Sequence, residues 1–155
     1  MDIVIDERLT QLKKWLSSVF QLEEIDISIA SADASFRRYF RVKTPDHPRG
    51  KTWVVMDAPP DKEDCKPFVK VSTAFRHMKV NVPEIYAQDL THGFLVLTDF
   101  GNTCYLDELT ESTADKMYGD AMTAWLQLAE STDATGDAGL GVVLFVSQYN
   151  AATNT

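Results

Sequence analysis

The chain is short of cysteine, short of positive charge, and without a long apolar run. Its 155 residues include only Cys65 and Cys104, with no CxxC and no other spacing suited to a metal or a redox pair. Both read as small, partly buried thiols in a reducing cytoplasm. Lysine and arginine number 15 against 23 aspartates and glutamates, a net charge of −8. That balance argues against a general grip on a nucleic-acid backbone, though a local basic cluster can still hold one small phosphate. No stretch approaches the ~20 apolar residues that span a bilayer, so no membrane partner is expected. The opening MDIVIDERLTQLKK has no basic start followed by an apolar run, so no secretion signal is expected. GxxxxGK, HExxH and GxSxG do not occur. GLG at 139–141 does not extend to GxGxxG, because Leu144 stands in the third glycine's place. The length suits one core rather than two ordinary domains.

What is present has clear periodicity. Asp6 is placed to cap a helix to about Phe20, with Leu9, Leu12, Leu16, Val19 and Phe20 on one face. Ile25, Ile27 and Ile29 then alternate with polar residues, as a strand would. A small, polar break over 30–35 leads to FRRYFRV, a second strand. TPDHPRGK is a turn, and TWVVMDA a third strand, closed by Pro59 and Pro60. A helix is expected over about 66–79 with Phe68, Val71, Phe75 and Met78 as its stripe, ended by Pro83. EIYAQDL and GFLVLTD make two more strands around a Thr91-His92-Gly93 turn. TCYLDEL reads as a short helical turn. Ser112 is placed to cap a longer helix, with Asp115 as the capping-box acid and Tyr118, Ala121, Met122, Trp125, Leu128 and Ala129 as a core face. STDATGDAGLG has linker composition. The apolar run VVLFV behind it has no partner signal and is an aggregation hazard if exposed.

Two strings bear on chemistry. Asp-Phe-Gly at 99–101 is how protein kinases present a magnesium-binding aspartate, downstream of a His-Arg-Asp catalytic loop. Here His47, His77 and His92 all precede Asp99, and none sits in such a loop, so Asp99 is not read as a metal ligand. SADASFRRYFRV at 31–42 is the more unusual string. Its small residues would let backbone N–H groups approach an anion, and Arg37 and Arg38 could add bidentate phosphate contacts. A plain hairpin with solvated arginines is the other reading of the same residues.

SADASFRRYFRV, WVVMDAPPDKEDCKPFV, and VPEIYAQDLTHGFLVLTDFG with YLDEL after it, in that order and spacing, resemble the aminoglycoside phosphotransferase family over about residues 5–130. Within the family the likeness is to bacterial kinases that phosphorylate the anomeric hydroxyl of N-acetylmuramate and N-acetylglucosamine. The resemblance implies an α+β, protein-kinase-like N-terminal lobe: a five-stranded antiparallel sheet with one packed helix, an N-terminal helix, and the first helices of a C-terminal lobe. It implies ATP as cofactor. Residues 31–38, with Ser31, Asp33, Ala34, Ser35, Phe36, Arg37 and Arg38, would cover the phosphates. Where the family's third strand keeps a lysine or arginine, this chain has Met56-Asp57. Arg37 or Arg38 is then the natural substitute, and Asp57 would need an arginine or a metal between it and a triphosphate. The stretch 94–101 would be the hinge to the second lobe. Leu97 would line the adenine pocket, the Thr98 carbonyl would accept from the adenine amino group, and the Phe100 N–H would donate back. The Asp99 side chain would be free to point elsewhere.

The family's chemistry needs a His-Gly-Asp loop, a downstream asparagine and a metal-binding aspartate. No histidine follows His92, so neither catalytic nor metal-binding residues are assigned, and magnesium is expected only with a complete catalytic lobe. The organisation expected is a small lobe with its N-terminal helix at 1–101, a hinge exit and start of the helical lobe at 102–131, and an atypical, truncated or frame-shifted tail at 132–155. Such a chain would be inactive alone and prone to self-association through an uncovered lobe interface. The function implied is ATP-dependent phosphorylation of an amino sugar in cell-wall recycling. A kinase for an aminoglycoside or other small alcohol, and a non-catalytic nucleotide-binding or interaction module, are the alternatives.

Overall fold

Alternation along the central strands decides which side chains meet. The computed structural model describes residues 6–32 and 36–135. Strands β1 (Asp26–Ala32), β2 (Arg38–Lys43), β3 (Thr52–Asp57), β4 (Ile85–Asp89) and β5 (Phe94–Thr98) form one sheet in the order β1-β2-β3-β5-β4. Every neighbouring pair is antiparallel. This is the five-stranded sheet that the sequence implied.

Helix α1 (Glu7–Phe20) starts where expected, with the Asp6 carboxylate accepting from the Leu9 N–H at 3.0 Å. Fourteen residues are marginal as an isolated helix, so packing must hold it. Leu12, Leu16 and Phe20 pack with Phe40, Val42, Trp53, Val55, Phe94 and Val96, the alternate residues of β2, β3 and β5. Full burial of each leucine is worth roughly 1.5–3 kcal/mol, enough to fix the helix on this face. The opposite parity puts Met56, Leu95 and Leu97 on the other face, where they are also buried. At the far end of the α1 face the indole N–H of Trp53 donates to Thr44 Oγ1 at 2.8 Å, and that hydroxyl donates to the Gly50 carbonyl.

Both edge strands carry an irregularity. β1 shifts register between Ile29 and Ser31, and β4 between Ile85 and Ala87. Such bulges discourage edge-to-edge pairing. The bulge also carries β1 past the break expected at residue 30: Ser31 and Ala32 still pair with Tyr39 and Arg38. Between β4 and β5, Gly93 has φ +73°. A Cβ there would lie 1.8 Å from the Ala58 carbonyl oxygen, and the Gly93 carbonyl accepts from the Ala58 N–H at 2.9 Å.

The chain divides into two units, Met1–Pro67 with Ile85–Asp99, and Phe68–Glu84 with Phe100–Thr155. The first holds α1 and the sheet. The second holds most of α2 (Lys66–His77), then α3 (Tyr105–Glu108) and α4 (Ala114–Thr135). Helix α2 ends with Lys79 left-handed and the Val80 N–H bonded to the Phe75 carbonyl at 3.0 Å, the signature of a Schellman stop. Helix α4 differs from its expectation in three ways. Its first intrahelical bond, at 3.0 Å, runs to the carbonyl of Thr113 rather than Ser112; the Ser112 hydroxyl is engaged with Thr110 Oγ1 instead. The helix continues through Ser131–Thr135, which hold no glycine or proline to stop it. Tyr118, Met122 and Trp125 are exposed, and among the described side chains of the helix Met117 is the buried one, one position round from the expected face. The side chains of Leu128 and Ala129, and the VVLFV run, lie outside the described residues. Of the thiols, Cys65 is buried, with its pKa pushed up by burial, whereas Cys104 is exposed.

Candidate functional site

The expected nucleotide-binding residues fall on both sides of the sheet. β5 is buried from Phe94 to Leu97, and its ladder with β3 ends at the pair Trp53–Thr98. Leu97 lies on the face away from α1. Just past the ladder, the Asp99 side chain is only 3% exposed. It points toward β2. Asp99 Oδ2 accepts from Arg41 Nε at 2.6 Å, and Oδ1 from Arg41 Nη2 at 3.0 Å. This fork-to-carboxylate pair crosses β3 on the Leu97 face.

Asp57 belongs to the other face. Its parity is that of Trp53 and Val55, so it points toward α1, and its side chain is 0% exposed. Oδ1 accepts from Arg8 Nε at 2.9 Å and also from Arg8 Nη2. Oδ2 accepts from Arg38 Nε at 3.0 Å and also from Arg38 Nη2. The Arg8 guanidinium lies 5.1 Å from the centre of the Phe94 ring and donates to the His92 carbonyl at 2.8 Å. Arg38 also bonds Asp6. That bond first, and the Leu9 N–H second, hold the Asp6 carboxyl below its ordinary range; the same bond to Asp6 raises Arg38. A buried carboxylate needs such partners to stay charged. The arginine that Asp57 was expected to need is there twice over. Asp57 and Arg38 meet on the α1 side, away from Leu97.

The stretch expected to cover phosphates, 31–38, is described only in part. Asp33, Ala34 and Ser35 lie outside the described residues, and Ser31 is placed by its backbone pairing in β1. Phe36 is exposed, with Lys62 Nζ 5.9 Å from its ring centre. Arg37 reaches Glu63 at 3.1 Å. Lys62 also pairs with Asp61 at 3.7 Å, so both cations near Phe36 have carboxylate partners. Leu97, Thr98, Asp99 and Phe100 form a separate consecutive group at the end of β5. Sequence reasoning missed Arg8 and Arg41. A charged residue alternating with Phe40 and Val42 in a central strand was the available signal for Arg41, since such a position calls for a partner.

A five-stranded antiparallel sheet with a packed N-terminal helix, followed by helices, defines a protein-kinase-like N-terminal lobe. The chain belongs to the phosphotransferase enzyme family (APH), whose family model matches residues 26–153. It is 41% identical over 141 residues, 84% of this chain and 40% of the relative, to an N-acetylmuramate/N-acetylglucosamine kinase of Pseudomonas aeruginosa. A protein of the same name from Pseudomonas putida is 41% identical over 134 residues, 79% of this chain and 38% of the relative. One from Neisseria meningitidis is 41% identical over 109 residues, 70% of this chain and 31% of the relative. The chain thus spans about two fifths or less of the length of these curated relatives.

Proposed function

We propose that this chain is the nucleotide-binding part of an ATP-dependent sugar kinase acting on an amino sugar of the N-acetylmuramate/N-acetylglucosamine type, in cytoplasmic cell-wall recycling. The observation that carries this reading is the 41% identity to kinases of that name, over a stretch that folds into the nucleotide-side lobe. The base would dock on Leu97 and exchange hydrogen bonds with the Thr98 carbonyl and Phe100 N–H, each netting roughly 0.5–1.5 kcal/mol. The triphosphate would lie under residues 31–37, where backbone N–H groups, Arg37 and Lys62 favour an anion. Phosphoryl transfer needs positioned charge and an oriented acceptor. Among the described residues no three His, Cys, Asp or Glu side chains gather as a metal site, so no step through magnesium is assigned to them. The chain alone would bind ATP and not turn it over.

Titration of the 155-residue chain with ATP, followed by thermal shift, tests the binding half. A rise in Tm at millimolar ATP, lost in Phe100→Pro, which has no N–H to donate, is the expected result; no shift removes it. Labelled ATP with N-acetylmuramate tests the rest. Labelled sugar formed by this chain would overturn the claim of inactivity. The second reading is a nucleotide-binding or interaction module without catalysis. A longer version of the protein that also fails to transfer phosphate would select it.

A further inference from the structure

We infer that Glu63 is a built-in competitor for nucleotide phosphate at Arg37. It holds the guanidinium in an ion pair that a phosphate must displace, and so limits what the phosphates add to nucleotide affinity. The inference rests on the nucleotide reading above and deepens it, because that reading gives Glu63 no role.

Arg8, Arg37, Arg38 and Arg41 are each paired with a carboxylate, but not alike. Arg8 and Arg38 each place two nitrogens on Asp57, whose side chain is 0% exposed. Arg41 does the same on Asp99, which is 3% exposed. Neither carboxylate can lose its arginines without being left charged and buried, a costly state. Arg37 differs. Its Nη2 donates to Glu63 Oε2 at 3.1 Å, and the two side chains are 22% and 23% exposed. Glu63 can therefore give up Arg37 and be taken up by water.

Arg37 follows the 33–35 stretch by two residues. Its guanidinium bonds the side chain of Tyr39, which stands opposite Met56 on the face away from α1. Burial acts first to lower the Arg37 pKa, but Tyr39 and Glu63 outweigh it and the net shift is upward, so the cation is held charged. Acids balance that cation. At the Cys65 thiol close by, burial is the first cause of a raised pKa; there Arg37 lowers it, and Asp64 and Glu63 raise it. A phosphate oxygen and a carboxylate make the same kind of charge-assisted bond to a guanidinium, so the two compete for Arg37. A phosphate seated there is also repelled by Glu63. Adenosine, with no phosphate, is indifferent to the exchange.

The test titrates ATP and adenosine into the full chain in EDTA, which keeps metal ions from sharing the phosphate charge. Glu63→Gln should tighten ATP about threefold or more, the scale of one partly exposed ion pair, and leave adenosine unchanged. Arg37→Gln should weaken ATP, again with adenosine unchanged. Asp26→Asn makes the same change in net charge at the exposed pair with Lys43 and should alter neither ligand. All three variants should keep the wild-type circular dichroism spectrum. ATP binding that is weakened or unchanged in Glu63→Gln overturns the inference. An equal gain in Asp26→Asn also overturns it, because net charge alone would then account for the effect. An unaltered ATP-to-adenosine ratio in Arg37→Gln means that the phosphates do not reach Arg37, and overturns it while nucleotide binding stands. A wild-type chain that binds neither ligand overturns the underlying reading itself.

Discussion

Arg38 and Asp57 stand directly opposite each other on β2 and β3, and the guanidinium of one closes on the carboxylate of the other on the α1 side of the sheet. Arg8 completes the enclosure from the helix. The arrangement ties the start of β2, just after residues 33–35, to the first turn of α1.

Removing the carboxylate should therefore be costly. Asp57→Ala leaves two partly exposed guanidiniums facing each other, and a loss of about 1–3 kcal/mol is expected by urea denaturation. Arg8→Met should cost less, because Arg38 remains. A change below about 1 kcal/mol for Asp57→Ala would mean that the network is not formed in solution.

Gly93 has no substitute. With φ at +73° and the Ala58 oxygen 1.8 Å from any Cβ, Gly93→Ala must move the β4–β5 turn or the end of β3. The expected loss is about 2 kcal/mol or more, read as a fall in Tm. An unchanged Tm would show that the turn relaxes freely.

Acid should act through Asp6. Its carboxyl is held below the ordinary carboxylate value by Arg38 and by the Leu9 N–H. The stabilisation is thus complete above about pH 3.9 and fades as pH falls through the lower folded-state value. Asp6→Asn keeps an acceptor for the helix N-terminus but cannot titrate. Its stability should fall less than that of wild type between pH 5 and pH 2.5. Parallel pH profiles would place the acid sensitivity elsewhere.

Helix α4 exposes Tyr118, Met122, Trp125 and Leu126, with Trp125 57% exposed. Apolar residues at this spacing form a patch that favours association. Concentration-dependent oligomers are expected by light scattering, and Met122→Glu with Trp125→Glu should reduce them. A monodisperse wild-type monomer would rule this out.

The strands and helices were legible because period-2 and period-3.6 patterns are local: Ile25 to Ile29, Trp53 to Asp57 and Leu9 to Phe20 each declare their element unaided. Strand parity was legible too, and it already places Asp57 with Trp53 and Val55 rather than with Leu97. What the pattern could not give was pairing between distant charges. Arg8 with Asp57 and Arg41 with Asp99 join residues 49 and 58 positions apart, and nothing in a local window links them. The partner of the Asp99 side chain, expected only to point elsewhere than at a nucleotide, went unnamed for this reason. The face of α4 was misplaced for a different reason. Its apolar residues lie nearly all round the helix, so periodicity did not single out Met117.

The sheet order has a consequence for how the chain assembles. Among the described residues β5 is the last strand made, yet it sits between β3 and β4. As the chain emerges, α1 and the β1-β2-β3 meander can form early, but β3 keeps an open edge and the core lacks Phe94 and Val96. β4 has no neighbour until β5 arrives. Closure of the lobe therefore waits for the segment ending at Thr98. A nascent chain stopped before Phe94 would present β3 as a template for another chain's strand.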